Sequence, residues 1–188
     1  MESAMSWHHF FALTLSVLLP ASLLTACDRE ITDAVVEKAF TCKLADPFKL
    51  SDPARVGRCE AVTDYAELHD VRVIVSTTLD VASHADQQGM YRPLPLLVPC
   101  AGEWEAHERA LPGQMVRLDE SGLAGVSPVE GRKYYLLTFI QVSSKGRPEF
   151  PMVDLSWYNP RMQNNVCVVI SAGYNTLNSM STPRLTIF

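Results

Sequence analysis

The chain has 188 residues, of which 47% are apolar and 20% charged, and a formal net charge of −5. That composition leaves little room for long disorder and supplies enough apolar side chains for a full core. A mildly acidic chain without a Lys/Arg block lacks the electrostatic footprint of a nucleic-acid binder, which argues against that partner class.

The first distinct element is an apolar run from Phe10 to Ala26, rich in Leu, Phe, Val and Ala and broken by Pro20. A membrane-spanning helix wants about 20 apolar residues, and a proline inside it removes a backbone donor. The run therefore reads as a secretory signal, which has a short apolar core and ends in small residues. Its last residues, Leu24-Thr25-Ala26-Cys27, resemble the lipobox of bacterial lipoproteins, with Leu three before the Cys and small residues between. The segment ahead of the run departs from the family pattern: it holds Glu2 and His8-His9 but no Lys or Arg, and Met5 is an alternative start.

The resemblance covers the first 27 residues and implies that Cys27 becomes the lipidated first residue of the mature protein. Two or more acyl chains hold stably, since each buried methylene contributes about 0.8 kcal/mol. It further implies a lipid-anchored protein of the cell envelope that faces the periplasm. Asp28 resembles the inner-membrane retention signal of enteric bacteria, which favours that membrane, with the outer membrane as the alternative. A plain cleaved signal and an uncleaved anchor helix are the rival readings of the segment. The only charged residue before Cys27 is Glu2, so removing the segment changes the net charge from −5 to −4. About 160 residues remain, enough for one domain with its own core. The expected organisation is a signal peptide at 1–26, a lipidated N-terminus with helix and stapled loop at 27–64, and a β domain at 65–188.

With Cys27 assigned to lipid, Cys42, Cys59, Cys100 and Cys167 are left. An even number in an exported domain points to disulfides, because the periplasm is oxidising. Four cysteines permit three pairings, and Cys42–Cys59 with Cys100–Cys167 is the expected one. Zinc is the rival, but no Cys-x-x-Cys pair exists and the four are scattered.

From Asp28 to Thr41, Ile31, Ala34, Val35 and Ala39 recur at helical spacing, which predicts a short helix that Asp28 can cap. Lys43 to Asp64 carries turn signals at Asp46-Pro47, Ser51-Asp52-Pro53 and Gly57 and reads as an ordered loop. Val71, Val73 and Val75 then alternate with polar residues, a strand with one buried face. Asp80 to Gly89 is polar. Leu94, Leu96 and Val98 alternate among Pro93, Pro95 and Pro99, which limits that segment to an edge strand. A helical turn is expected over Glu103–Ala110 and a brief strand over Met115–Leu118. Tyr134–Val142 is apolar on both faces, as a central strand should be. Val153, Leu155 and Trp157 predict a return strand with one wet face, before a turn at Asn159-Pro160. Strands follow at Val166–Ala172 and Arg184–Phe188. Such spacing predicts a mainly β domain, a sandwich or small barrel, with a short N-terminal helix.

Candidate sites are sparse. His69, His84 and His107 lie near Glu103 or Asp86 in places, but the His-Glu-x-x-His pattern is absent, and ordinary surface or capping roles are expected. Ser171-Ala172-Gly173 follows a strand but lacks the first glycine of a nucleophile elbow, so Ser171 reads as a strand-end serine. Gly122, Gly125 and Gly131 read as turn residues, not a phosphate loop. No cofactor or metal is expected.

Trp157 is expected in the core and Tyr158 facing outward. A binding face, if the domain has one, is expected around Trp104, Tyr158 and the loop Gln163, Asn164 and Asn165, because Trp and Tyr combine large contact area with a polar handle. The leading functional expectation is a non-catalytic protein-binding or assembly module held to the membrane by lipid, whose partner is another envelope protein. The alternative is a periplasmic small-ligand-binding protein or hydrolase with a loop-borne site. Cys27→Ser is expected to release or misprocess the protein while the β domain still folds; fractionation that finds the variant firmly in membranes would favour an anchor helix instead.

Overall fold

The computed structural model describes residues 29–43, 62–87, 90, 92–102, 109–143, 155–175 and 178–188. They form a β-sandwich-like domain of two sheets. The first sheet runs β1 (Arg29–Glu30), β9 (Asn178–Ser181), β8 (Val166–Asn175), β4 (Leu94–Pro99) and β5 (Leu111–Pro112), with β10 (Leu185–Thr186) also on β8. The second runs β2 (Val35–Lys43), β3 (His69–Thr77), β7 (Lys133–Val142) and β6 (Gln114–Leu118). All pairings are antiparallel except β1 with β9. The mainly β architecture expected from alternation is the one observed.

Alternation places the core between the sheets. Val71, Val73 and Val75 of β3 stand opposite Phe139, Leu137 and Tyr135 of β7. They share one buried cluster with Leu97 of β4 and Val166, Val168, Ile170 and Ala172 of β8. Burying each such side chain contributes roughly 1.5–3 kcal/mol. The expected wet face of β3 is a correction, because Ile74 and Ser76 are also buried. Residues beyond β6 fold back over that outer face, where Leu118 and Leu123 join Ile74, Tyr134 and Leu136. Lys38 Nζ donates to the Ala124 carbonyl at 2.8 Å and helps hold this cover down. Two-residue alternation reports only the strand's own faces and cannot reveal a cover supplied by residues distant in sequence.

The outer face of the first sheet carries Leu96, Val98, Val169 and the Cys100–Cys167 disulfide. Cys42 is also disulfide-bonded, with a partner outside the described residues, as the expected Cys59 is. Arg184 braces the chain beyond β4, donating to the carbonyls of Cys100 and Gly102 at 2.8 Å each.

Between β5 and β6 the chain changes sheet at Gly113, and a Cβ there would lie 2.6 Å from the Phe139 ring and 2.7 Å from the Thr138 carbonyl oxygen. Only glycine fits this crossing. The Gly113 amide donates to Pro95 O at 2.9 Å, so the Pro95 carbonyl, and with it the proline nitrogen, faces β5. By alternation Pro99 faces the same way. Missing donors thus fall where only a two-residue strand needs them. β4 is not the edge by strand order, but that side of it is nearly one.

Two expected elements are corrected. Residues 29–43 are not a helix: they hold β1, a turn and β2. Ile31 and Ala34 reach the core from the turn, and the β-rich run Val35-Val36 and Phe40-Thr41 pairs with β3 around a bulge between Val36 and Lys38. Turn plus bulge imitated a spacing of three and four. The domain's short helix is instead α1 (Val81–Gln87), inside the stretch read as merely polar. Val81 and Ala85 bury one face, and Asp80 Oδ1 caps the start by accepting from Ser83 N at 3.2 Å. The return strand is also corrected, since 155–158 is a turn closed by Tyr158 N to Leu155 O at 2.9 Å. The loop 44–61 and the helical turn at 103–108 lie outside the described residues.

The β1–β2 turn is fastened by Asp33. Its carboxylate accepts from Thr77 Oγ1 at 2.6 Å and Thr78 N at 2.7 Å, while its carbonyl accepts from Arg132 Nη2 at 2.7 Å. Arg132 also donates to Ser76 Oγ and O at 2.7 and 2.9 Å. Burial pushes the Asp33 carboxyl up, but the donors from Thr77 and Thr78 and the Arg132 charge outweigh it and hold it at about 2, below the usual 3.8. Its contribution is therefore complete above about pH 4 and is lost as pH falls toward 2. Asp33→Asn is expected to cost about 1–2 kcal/mol at neutral pH, after discounting for solvent screening, and to flatten the acid limb of a urea-stability profile between pH 4 and 2.

Candidate functional site

Two strands begin at one end of the sandwich, and their approaches make a small pocket. Residues 62–68 lead into β3, and 155–165 lead into β8. Each approach is shaped by a local side-chain turn: Asp64 Oδ1 accepts from Ala66 N at 2.9 Å, and Asn159 Oδ1 from Arg161 N at 3.1 Å. Arg161 then crosses back to donate to the Thr63 carbonyl at 2.9 Å, with its guanidinium 5.5 Å from the Tyr65 ring centroid. The result is a pocket of about 290 Å³ lined by Asp64, Tyr65, Ser156, Tyr158, Asn159 and Arg161. Leu68, 40% exposed, and Met162, 57% exposed, lie in the same two segments.

Behind the pocket sits His69, the first residue of β3 and fully buried. Its Nδ1 is 2.8 Å from the Glu67 carbonyl, which can only accept, so Nδ1 carries the proton. Nε2 is then the acceptor for the Tyr158 hydroxyl at 2.7 Å. Tyr65 packs edge-on against the imidazole with centroids 5.5 Å apart. Burial lowers the His69 pKa from 6.5, against the opposing pull of the Glu67 carbonyl. Burial, with Tyr65 nearby, raises that of Tyr158. A neutral imidazole and a protonated phenol are the stable pair, so the hydroxyl positions the floor of the pocket and is not poised as a base.

Of the residues expected to form a binding face, Tyr158 lines this pocket. Tyr158 is a correction: it is 1% exposed and points inward to His69, because the segment turns at 155–158 and alternation does not apply. Trp157 is buried as expected. Gln163 and Asn164 are exposed. Asn165 is half-buried and acts as a strut, donating through Nδ2 to the Trp157 carbonyl at 2.5 Å. Trp104 and His107 lie outside the described residues. Tyr65 and Arg161 were not legible as a pair, since they come from segments joined only by folding; the Asp-x-Ala and Asn-Pro-Arg turns were the available cue.

The other candidates do not converge on this pocket. His84 is on α1, beyond the opposite end of β3. Ser171 lies inside β8, paired with Leu94 and Ser181, and is not a strand-end residue. Gly125 and Gly131 have φ of 86° and 82°, as turn glycines do. Among the described residues no group of three His, Cys, Asp or Glu could hold a metal ion, and no helix is long and apolar enough to cross a membrane. A groove of about 530 Å³ opens between Arg117, Glu120, Val129, Glu130, Lys133 and Tyr134 at the opposite end. Arg117 is paired there with Asp80 at 2.5 Å, and Arg132 and Lys133 share the groove with Asp119, Glu120 and Glu130, so it carries no concentrated positive charge.

Comparison with protein-family models, with curated proteins and with solved structures finds no match to this chain.

Tyr158→Phe keeps the ring but strands a buried acceptor, and is expected to lower unfolding stability by about 1–3 kcal/mol with unchanged far-UV circular dichroism. Because the folded His69 resists protonation, its contribution is present above pH 6.5 and is lost as pH falls below it. Thermal melts from pH 7.5 down to 5.5, on wild type and His69→Gln, check the sign: the wild type should lose more on acidification.

Proposed function

We propose that this chain is a lipid-anchored envelope lipoprotein whose β domain faces the periplasm and binds another envelope protein, as a non-catalytic recognition or assembly module. The lipobox at Cys27 supports the anchor, and Asp28 favours the inner membrane. The binding role rests on one observation: Tyr65 and Arg161 meet at one end of the sandwich, in the same two segments as the exposed Leu68 and Met162. Tyr, Arg and Met are the residue types enriched at protein interfaces.

The alternative, a small-ligand or hydrolytic site, draws on the pocket itself. The lining weighs against it. Small-molecule sites are mostly apolar, whereas this pocket of about 290 Å³, at the bottom of their size range, has Asp64, Ser156, Asn159 and Arg161 at its wall. It fits one partner side chain better than a whole metabolite.

Photo-crosslinking amino acids placed at Met162 and Leu68 in cells test the reading. The expected result is a discrete adduct with one envelope protein, absent from a probe at Val116 on β6 and weakened at least about fivefold by Arg161→Glu. Adducts with lipid alone, or equal yields from all three positions, overturn it.

A further inference from the structure

The clearest unassigned feature is how little chain separates the expected lipid from the fold. Cys27 stands two residues before β1, so at most about 7 Å of backbone lies between them. β1 is itself fixed in the first sheet, with Arg29 beside Met180, Glu30 beside Ser181, and the Ile31 amide on the Ser181 carbonyl at 2.8 Å. A flexible linker of about 20 residues would let a domain wander roughly 25 Å from its anchor. Here the linker is Asp28 alone.

The same contacts define which end is held. Glu30, Ser181, Ser171 and Leu94 lie in one row across the first sheet. Two residues beyond Ile31, Asp33 is bonded to Thr77 at the end of β3, and Val129 lies in the loop between β6 and β7 that Arg132 ties to Asp33. β3 then runs nine residues, about 27 Å, from Thr77 to His69 and the pocket.

Resting on the lipoprotein reading, we infer that the β1 end of the sandwich lies directly against the bilayer surface, with the Tyr65–Arg161 end held about 30 Å out from it. The membrane surface is thus the standing partner of that end. Charge does not produce the contact: Asp119, Glu120 and Glu130 are balanced there by Arg117, Arg132 and Lys133, which gives an anionic bilayer no net attraction. The tether imposes it, so the orientation is insensitive to salt.

The test uses the full chain in native membranes, with an environment-sensitive fluorescent amino acid at Val129 or at Met162 and headgroup spin-labelled phospholipid as quencher. Val129 should be quenched at least about threefold more than Met162, at low and at high salt alike, consistent with a quencher effective only over short range. A flexible Gly-Ser spacer of about 20 residues inserted after Asp28 should abolish the difference. Equal quenching at both positions in a chain whose Cys27 carries lipid by mass spectrometry overturns the orientation and leaves the anchor standing. An unmodified Cys27 overturns both.

Discussion

β3 is the strand that cannot move. It is buried on both faces, paired along its length with β2 and β7, and bonded at each tip: His69 to Tyr158 at one, Thr77 to Asp33 at the other. A slip of one residue would turn Val71, Val73 and Val75 out of the core and drive Arg72 into it. Both ends of the molecule inherit their geometry from this. The pocket exists because the residues before β8 must bring Tyr158 onto the start of β3. The N-terminal strand is placed because the turn that follows it must bring Asp33 onto the finish.

The pocket is correspondingly stiff. Its floor is a hydrogen-bonded pair in fixed protonation states, and its wall is an arginine already bonded to backbone and stacked near a tyrosine. Preorganised aromatic and guanidinium surface loses little conformational freedom on contact, which is what makes such residues effective anchors for a partner. The same fixity suits it poorly to proton transfer, where a group must change charge within the cycle.

Strands were legible wherever period and burial agreed, as at Tyr134–Val142 and Val166–Ala172. Reading failed where one signal had two sources. At Val35–Lys43 a bulge and a preceding turn together gave helical spacing. At Val81–Gln87 two small apolar residues sufficed for a helix because α1 needs to cover little. At 155–158 an alternating text was folded as a turn, which reversed Tyr158 and hid the pocket's floor. The disulfide Cys100–Cys167 was the expected one of the three pairings that four cysteines leave open, whereas the approach of Tyr65 to Arg161 depends on tertiary folding that local pattern does not encode.

The bulge in β2 has a bearing beyond its own strand. Among the described residues β2 pairs only with β3 and so forms an edge of the second sheet, the kind of strand along which sheets can extend. The register break between Val36 and Lys38 interrupts that edge near its start. A second molecule approaching flank to flank finds no straight template to extend. An irregular edge of this kind works against flank-to-flank pairing of two sandwiches, the route by which exposed sheet edges aggregate.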